Sequence, residues 1–307
     1  MSLIERQFSA FFSSAVSSGS TKVGTLGNRF TVQLNTPLTV PRDSLYASLE
    51  VVSAKVWNSS PNISPGIGNN HIHFSYGGSD YDIENPEGLY GIEELNAAMS
   101  IFFVQNGLPS SDIPDVLDLF EITEDGATQK VSIKFNFAGV TIDFTKPNSC
   151  IDVLGFYTVH DIARDTFTSN EIISSTTPGE SVRAPNEARF NRVVNYYIQS
   201  NLLSDGIPIN SSSSGIITEV PILNVKVGSL INYTPSNPLR VDCSDLIGQS
   251  KQLISFALVD QIGREVSTSA EEWSLAIVIR YHIRENSSNQ RRPNQSCPED
   301  TGYFRSY

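Results

Sequence analysis

The sequence predicts an all-β protein: a single jelly-roll β-sandwich interrupted by a small α+β insertion domain. Three observations carry that expectation. Most apolar segments alternate with a period of two, as half-buried strands do. Gly, Pro, Ser and Asn turns separate them throughout. One segment, "NPEGLYGIEELNAAMSIFF", changes to a spacing of three and four residues, the period of an amphipathic helix.

Residues 1–28 include "SAFFSSAVSSGST", Ser-rich and without a strong period, and are expected to form an N-terminal arm that orders against a partner. Residues 29–65 begin the jelly roll. Phe30, Val32 and Leu34 fall on one face, and "SLYASLEVVSAKVWNS" is a long strand with Leu45, Ala47, Leu49, Val51 and Ala54 expected to be buried. Pro37, Pro41 and Asp43 mark the turn between them.

Residues 66–156 read as the insertion. "HIHFSY", the turn "GGSD" and "YDI" form a hairpin. A helix follows with Ile92, Leu95, Met99 and Phe102 on its apolar side. Glu93 and Glu94 lie in its first turn, where the dipole favours anions, and Gly107 and Pro109 end it. "DLFEIT", "QKVSIKFNF" and "VTIDFT" are short strands, and "CIDVLGF" closes the unit. Residues 160–190 are polar and aperiodic, and are expected to be a loop. The jelly roll, resuming over 157–283, then continues with "VVNYYIQSNLL", "GIITEVPILNVKV", "PLRVDCS", "LISFALVD" and "EWSLAIVIRYHI", the last with Leu275, Ile277, Ile279 and Tyr281 facing one way. Residues 284–307 form a C-terminal tail without period.

A chain of 307 residues with 39% hydrophobic and 18% charged residues can bury a sizeable core. Its net charge of −12 repels phosphate backbones, and no Lys/Arg run exceeds the pair Arg291–Arg292, which argues against general nucleic-acid binding. Cys150, Cys243 and Cys297 lie far apart without a C-x-x-C, so free thiols are expected. Glu5 and Arg6 interrupt what a signal peptide would need, and no apolar run is long enough to span a membrane. The sequons at Asn58, Asn62, Asn210, Asn232, Asn286 and Asn294 read as by-products of Asn- and Ser-rich loops.

No hydrolase, zinc-protease, phosphate-loop, dinucleotide or EF-hand motif occurs. His71-x-His73 projects two imidazoles to one face of a strand, with Asp80, Asp82 and Glu84 able to approach across the hairpin. Without the defined spacing of a zinc motif, both histidines are expected to be solvent-facing strand residues. His160-Asp161, near Arg164 and Asp165, resembles an acid–base dyad but has no nucleophile at a recognisable spacing. Glu121, Glu124 and Asp125 bracket a turn, and turn chemistry accounts for them better than calcium does. Trp57 and Trp273 sit at strand ends and are expected to pack rather than stack on sugars. No catalytic, cofactor-binding or metal residue is assigned, and no cofactor or enzymatic activity is expected.

The order of landmarks is more specific than any one of them. "RFTVQLNTPLTVPRDSLYASLEVVSAKVWNSSPNI" leads to "NNHIHFSY" and "YDIENPEGLYGIEELNAAM", then to "TQKVSIKF", "VTIDF", "DVLGF", "VVNYYIQSNLL" and "LISFALVDQIGREVSTSAEEWSLAIVIRYHI". Over residues 1–283 this resembles the penton (vertex, or minor capsid) proteins of virophages and the related Polinton-type viruses and transposons. The segment 160–190 departs most from that pattern. The resemblance implies a virion protein made in the host cytoplasm: a homo-pentamer at the fivefold vertices of an icosahedral capsid, abutting trimers of a double jelly-roll major capsid protein. The insertion would stand outward, where it could meet a host receptor. His71 and His73 would be exposed there, able to alter a vertex contact by protonating near pH 6. The alternative is a receptor- or carbohydrate-binding jelly roll, such as a spike head or lectin, using Tyr76, Tyr81 and Tyr90.

Overall fold

The structure, a computed structural model, describes residues 3–106, 115–125, 127–161, 166–204, 206–209, 212–223 and 225–284. Four strands come first: β1 (Leu3–Ser13), β2 (Ser20–Val23), β3 (Arg29–Thr39) and β4 (Ser44–Trp57). The insertion then contributes β5 (His71–Tyr76), β6 (Ser79–Glu84), α1 (Ile92–Gln105), α2 (Val116–Leu119), β7 (Phe120–Asp125), β8 (Lys130–Phe135), β9 (Thr141–Asp143) and α3 (Ile151–Leu154). Four three-residue strands follow: β10 (Val159–Asp161), β11 (Thr166–Thr168), β12 (Ile172–Ser174) and β13 (Ser181–Arg183). The remaining strands are β14 (Asn195–Ser200), β15 (Ile207–Ile209), β16 (Ser212–Pro221), β17 (Leu230–Tyr233), β18 (Arg240–Asp242), β19 (Ser250–Val259) and β20 (Ser274–Arg284).

Two antiparallel sheets form the sandwich. One runs β1-β20-β4, with β17 and β18 both pairing along the far side of β4; the other runs β15-β16-β14-β19-β3-β2. Alternation explains the core between them: Ala47, Leu49, Val51, Ala54 and Val56 from β4 meet Phe30, Ile198, Ile254, Phe256 and Leu258 from the opposite sheet. Leu275, Ile277 and Ile279 are buried beside them as β20's period predicts, whereas Leu45 is exposed at the start of β4. An aromatic group fills the middle. Phe30 meets Trp273 edge-on at 4.8 Å, and Phe256 lies 4.9 Å from Phe12 and 5.3 Å from Phe30.

Residues 1–28 differ from the expected arm. β1 pairs with β20 from Leu3↔Arg284 to Ser13↔Ser274, and β2 pairs with β3, so four strands rather than two precede the insertion. The edge position hides this from the sequence, because β1 buries only Phe12 fully and shows no alternation. Across the same sheet, Glu50 on β4 accepts from Arg280 (3.1 Å) and pairs with Arg240 (2.7 Å), and Arg280 also reaches Glu5 on β1 (2.9 Å).

The insertion fills the connection between β4 and β14, where the chain crosses from one sheet to the other. Its own core holds Ile63, Ile72, Phe74, Ile83, Phe120, Ile133 and Phe156, with Leu95, Met99 and Phe103 of α1 laid over them. The stretch between β4 and β14 contains three sheets, β12-β9-β5-β6, β13-β8-β7 and the two-stranded β10-β11. The expected loop over 160–190 is thereby corrected. β12 pairs with β9 and β13 with β8, and Ile173 and Ala184 join the insertion core, which thus extends on both sides of residues 66–156. Each strand is too short to display a period. Residues 107–114, with Gly107 and Pro109, and the tail beyond 284 lie outside the described residues.

Candidate functional site

The hairpin β5–β6 determines which residues meet. Its inward face carries Ile72, Phe74 and Ile83, all buried, so the alternate positions His71, His73 and Asp82 share the other face. The register sets His73 directly across from Asp82 and His71 across from Glu84. Asp82 nonetheless reaches both imidazoles. Its Oδ1 lies 2.9 Å from His71 Nδ1 and 3.2 Å from His73 Nδ1, and its Oδ2 lies 3.0 Å from His71 Nδ1. The two rings stack with centroids 5.5 Å apart and planes within 9°. His73 Nε2 donates to the Pro147 carbonyl at 3.1 Å. The histidine side chains are only 20% and 19% exposed, so they are half-buried rather than freely solvated, whereas Asp82 is 50% exposed.

The same 146–149 segment borders a cleft of about 510 Å³. Within the cleft lining, Asn69 donates to Asp152 at 3.0 and 3.2 Å, and Arg192 reaches Asp152 at 3.0 Å. The Ser149 and Ser169 hydroxyls in that lining donate to the carbonyls of Lys146 (2.7 Å) and Phe156 (2.6 Å), and no imidazole joins them there. Asp143, near His73, is held below the usual carboxylate range. Burial opposes this, but the Thr145 hydroxyl and amide, Lys146 and then His73 favour the charged form.

The other sequence candidates separate into structural roles. Asp80 pairs with Ser75 in the hairpin and Glu84 with His71, so neither is placed like Asp82. His160 stacks on Phe167 at 4.2 Å beside Asp161, while Arg164 and Asp165 lie outside the described residues. Asp125 accepts from the Ala127 amide, the Thr128 hydroxyl and Arg183, a turn-and-strand tie. The Thr128 hydrogen bond, foremost, lowers its pKa. Glu121 stands opposite Lys134 on β8, and Glu124 opposite Val131. Trp273 is buried in the sandwich, and Trp57 ends β4 against Leu230. Tyr76, Tyr81 and Tyr90 pack against the insertion core, with Tyr81 stacked on Phe74 at 4.9 Å. Cys150 and Cys243 are free and buried in different cores, and Cys297 lies outside the described residues.

Asn58 and Asn62, both in sequons, are engaged inside the fold. Asn62 donates to the carbonyls of Tyr90 and Phe190 and accepts from the Tyr90 amide. No helix among the described residues is long and apolar enough to cross a membrane.

No protein-family model and no curated protein matches this sequence. Among solved structures, the chain is similar to the selenomethionine-labelled penton protein of mavirus, with a TM-score of 0.47 and 10% identity over 91% of this chain and 100% of that one.

Proposed function

We propose that this protein is a structural subunit of an icosahedral capsid, a penton that closes a ring of five at each vertex and abuts trimers of the major capsid protein. The observation that carries this reading is the order of sequence landmarks that resembles the penton family, with a jelly roll interrupted between β4 and β14 by a unit built around one long helix. A second feature favours lateral assembly. β1 is an eleven-residue edge strand paired on one side only among the described residues, and Leu3, Phe8 and Phe11 are exposed along it. Long apolar edges invite pairing unless a neighbour covers them, and a ring gives each subunit two different side faces for that purpose. The outward unit is the insertion, from about residue 63 to 190, and its surface is where a host receptor would be met. The work of the protein is surface complementarity rather than catalysis.

Native mass spectrometry of the purified chain tests the ring. A species near five times 33.7 kDa supports it; a trimer instead identifies a spike or a main shell component. A glycan array tests the carbohydrate-binding alternative.

A further inference from the structure

We propose that His71, His73 and Asp82 form a binding site for a first-row divalent transition ion, of which zinc is the representative. The Pro147 carbonyl can only accept, so His73 must carry a proton on Nε2. In the neutral ring Nδ1 is then a bare lone pair, and it points at a carboxylate oxygen 3.2 Å away. Two acceptors face each other, and a cation is needed between them. Asp82 cannot be relieved by turning away without also losing His71, whose Nδ1 it meets at 2.9 Å.

The donor set selects the cation. One ligand atom from each residue gives two imidazole nitrogens and one carboxylate oxygen, all within 4.8 Å of one another. A tetrahedral ion with bonds of roughly 2.0–2.1 Å spaces its ligand atoms about 3.3 Å apart, so the separations of 2.9 and 3.2 Å need to widen by only about 0.4 and 0.1 Å. Imidazole suits zinc and its neighbours, whereas calcium and magnesium call for oxygen ligands. The Pro147 carbonyl behind His73 is the outer partner that holds a metal-binding imidazole in its tautomer. With Asp82 half exposed, the fourth position opens to water. Bound there, the ion would fasten β5 to β6 on the outer face of the insertion. This inference is independent of the capsid reading, because it rests only on the hairpin and the Pro147 carbonyl beside it.

The test uses the chain of residues 1–307, freed of metal with a chelator and titrated with Zn²⁺ by calorimetry and with Co²⁺ by visible absorption. One ion per chain is expected, with a Co²⁺ spectrum typical of mixed nitrogen and oxygen ligation. His73→Ala should abolish both signals. Asp82→Asn should weaken binding at least about tenfold, since losing even a group behind a ligand costs that much. His160→Ala should leave binding unchanged. Should His73→Ala fail to fold, the near-isosteric Asp82→Asn at its half-exposed position carries the test, together with histidine NMR of the wild type, where Zn²⁺ should shift two of the four imidazoles. Absence of stoichiometric binding, or binding that survives loss of His73 or leaves the His71 and His73 resonances unmoved, overturns the proposal.

Discussion

In the sandwich, partners come from distant parts of the chain: Leu3 pairs with Arg284, Ala257 with Arg29 and Ile231 with Val56. In the insertion the most distant strand pairing joins Phe74 to Ile142, and the whole second core is drawn from Ile63 to Ala184 with Phe190 packed against it. The difference extends to chemistry. Besides its aliphatic and aromatic core the sandwich carries a buried carboxylate, Glu50, paired to Arg240 and Arg280 across one sheet, while the insertion has a polar floor of Asn69, Asp152 and Arg192 and a buried Asn62 that ties its entry to its exit. At the end of the sandwich next to the insertion, the Tyr196 hydroxyl donates to Ser60 at 2.9 Å. Pairing between the two ends of the chain defines one unit and pairing within a single continuous stretch the other, so damage to one should be separable from damage to the other.

The largest effect is expected from Trp273→Ala. This residue is among the largest fully buried side chains, and the cavity it leaves should cost about 3–5 kcal/mol in denaturant unfolding. Hydrogen exchange should show protection lost in the sandwich strands and kept in β5 and α1. Equal loss in both would mean that the cores unfold as one. Next, Asp152→Ala removes the carboxylate that both Asn69 and Arg192 contact in a largely buried setting. A loss of about 3 kcal/mol is expected, with exchange accelerated in the insertion first.

The third test is alkaline pH. Burial, aided by Asp242 and Asp245, pushes the Cys243 thiol up to about 12 from its ordinary 9.0. The folded state therefore holds this proton where the unfolded state releases it, so the stabilisation is complete below pH 9 and is lost as pH rises toward 12. By pH 10.5 the sandwich should be weaker by on the order of 2 kcal/mol relative to pH 8, from this group alone. A Cys243→Ala variant should show a correspondingly flatter pH profile. The smallest stability effect is expected for Phe11→Ser. Two-thirds exposed on β1, this residue should change stability by less than about 0.5 kcal/mol while lowering the pentamer fraction in native mass spectrometry. A ring unaffected by this change would remove the β1 face from the proposed contact.

These elements also show what a sequence can convey. β4, β20 and α1 were legible because each buries one full face over many residues: Ala47, Leu49 and Val51 in β4, and Leu95 and Met99 in α1. β1, β12, β13 and β17 were not, because an edge strand or a three- to four-residue strand buries too few side chains to reveal a period. At the site, the H-x-H spacing announced that two imidazoles share a face. It could not single out Asp82 from Asp80 and Glu84, because that choice belongs to the register of the hairpin and to where the Pro147 carbonyl lands. Nor could it show that the two rings are only about one-fifth exposed.

The placement of β20 between β1 and β4 has a consequence for biosynthesis. Ser274 is made 217 residues after Trp57 (274 minus 57), a wait of roughly 10–45 s at translation rates of about 5–20 residues per second. During that interval the insertion has all its partners and can fold on the nascent chain, while β4 stands without its main neighbour. A translational pause before residue 274 would prolong exposure of that fourteen-residue strand. The yield of this protein should thus fall with slow codons anywhere between β4 and β20.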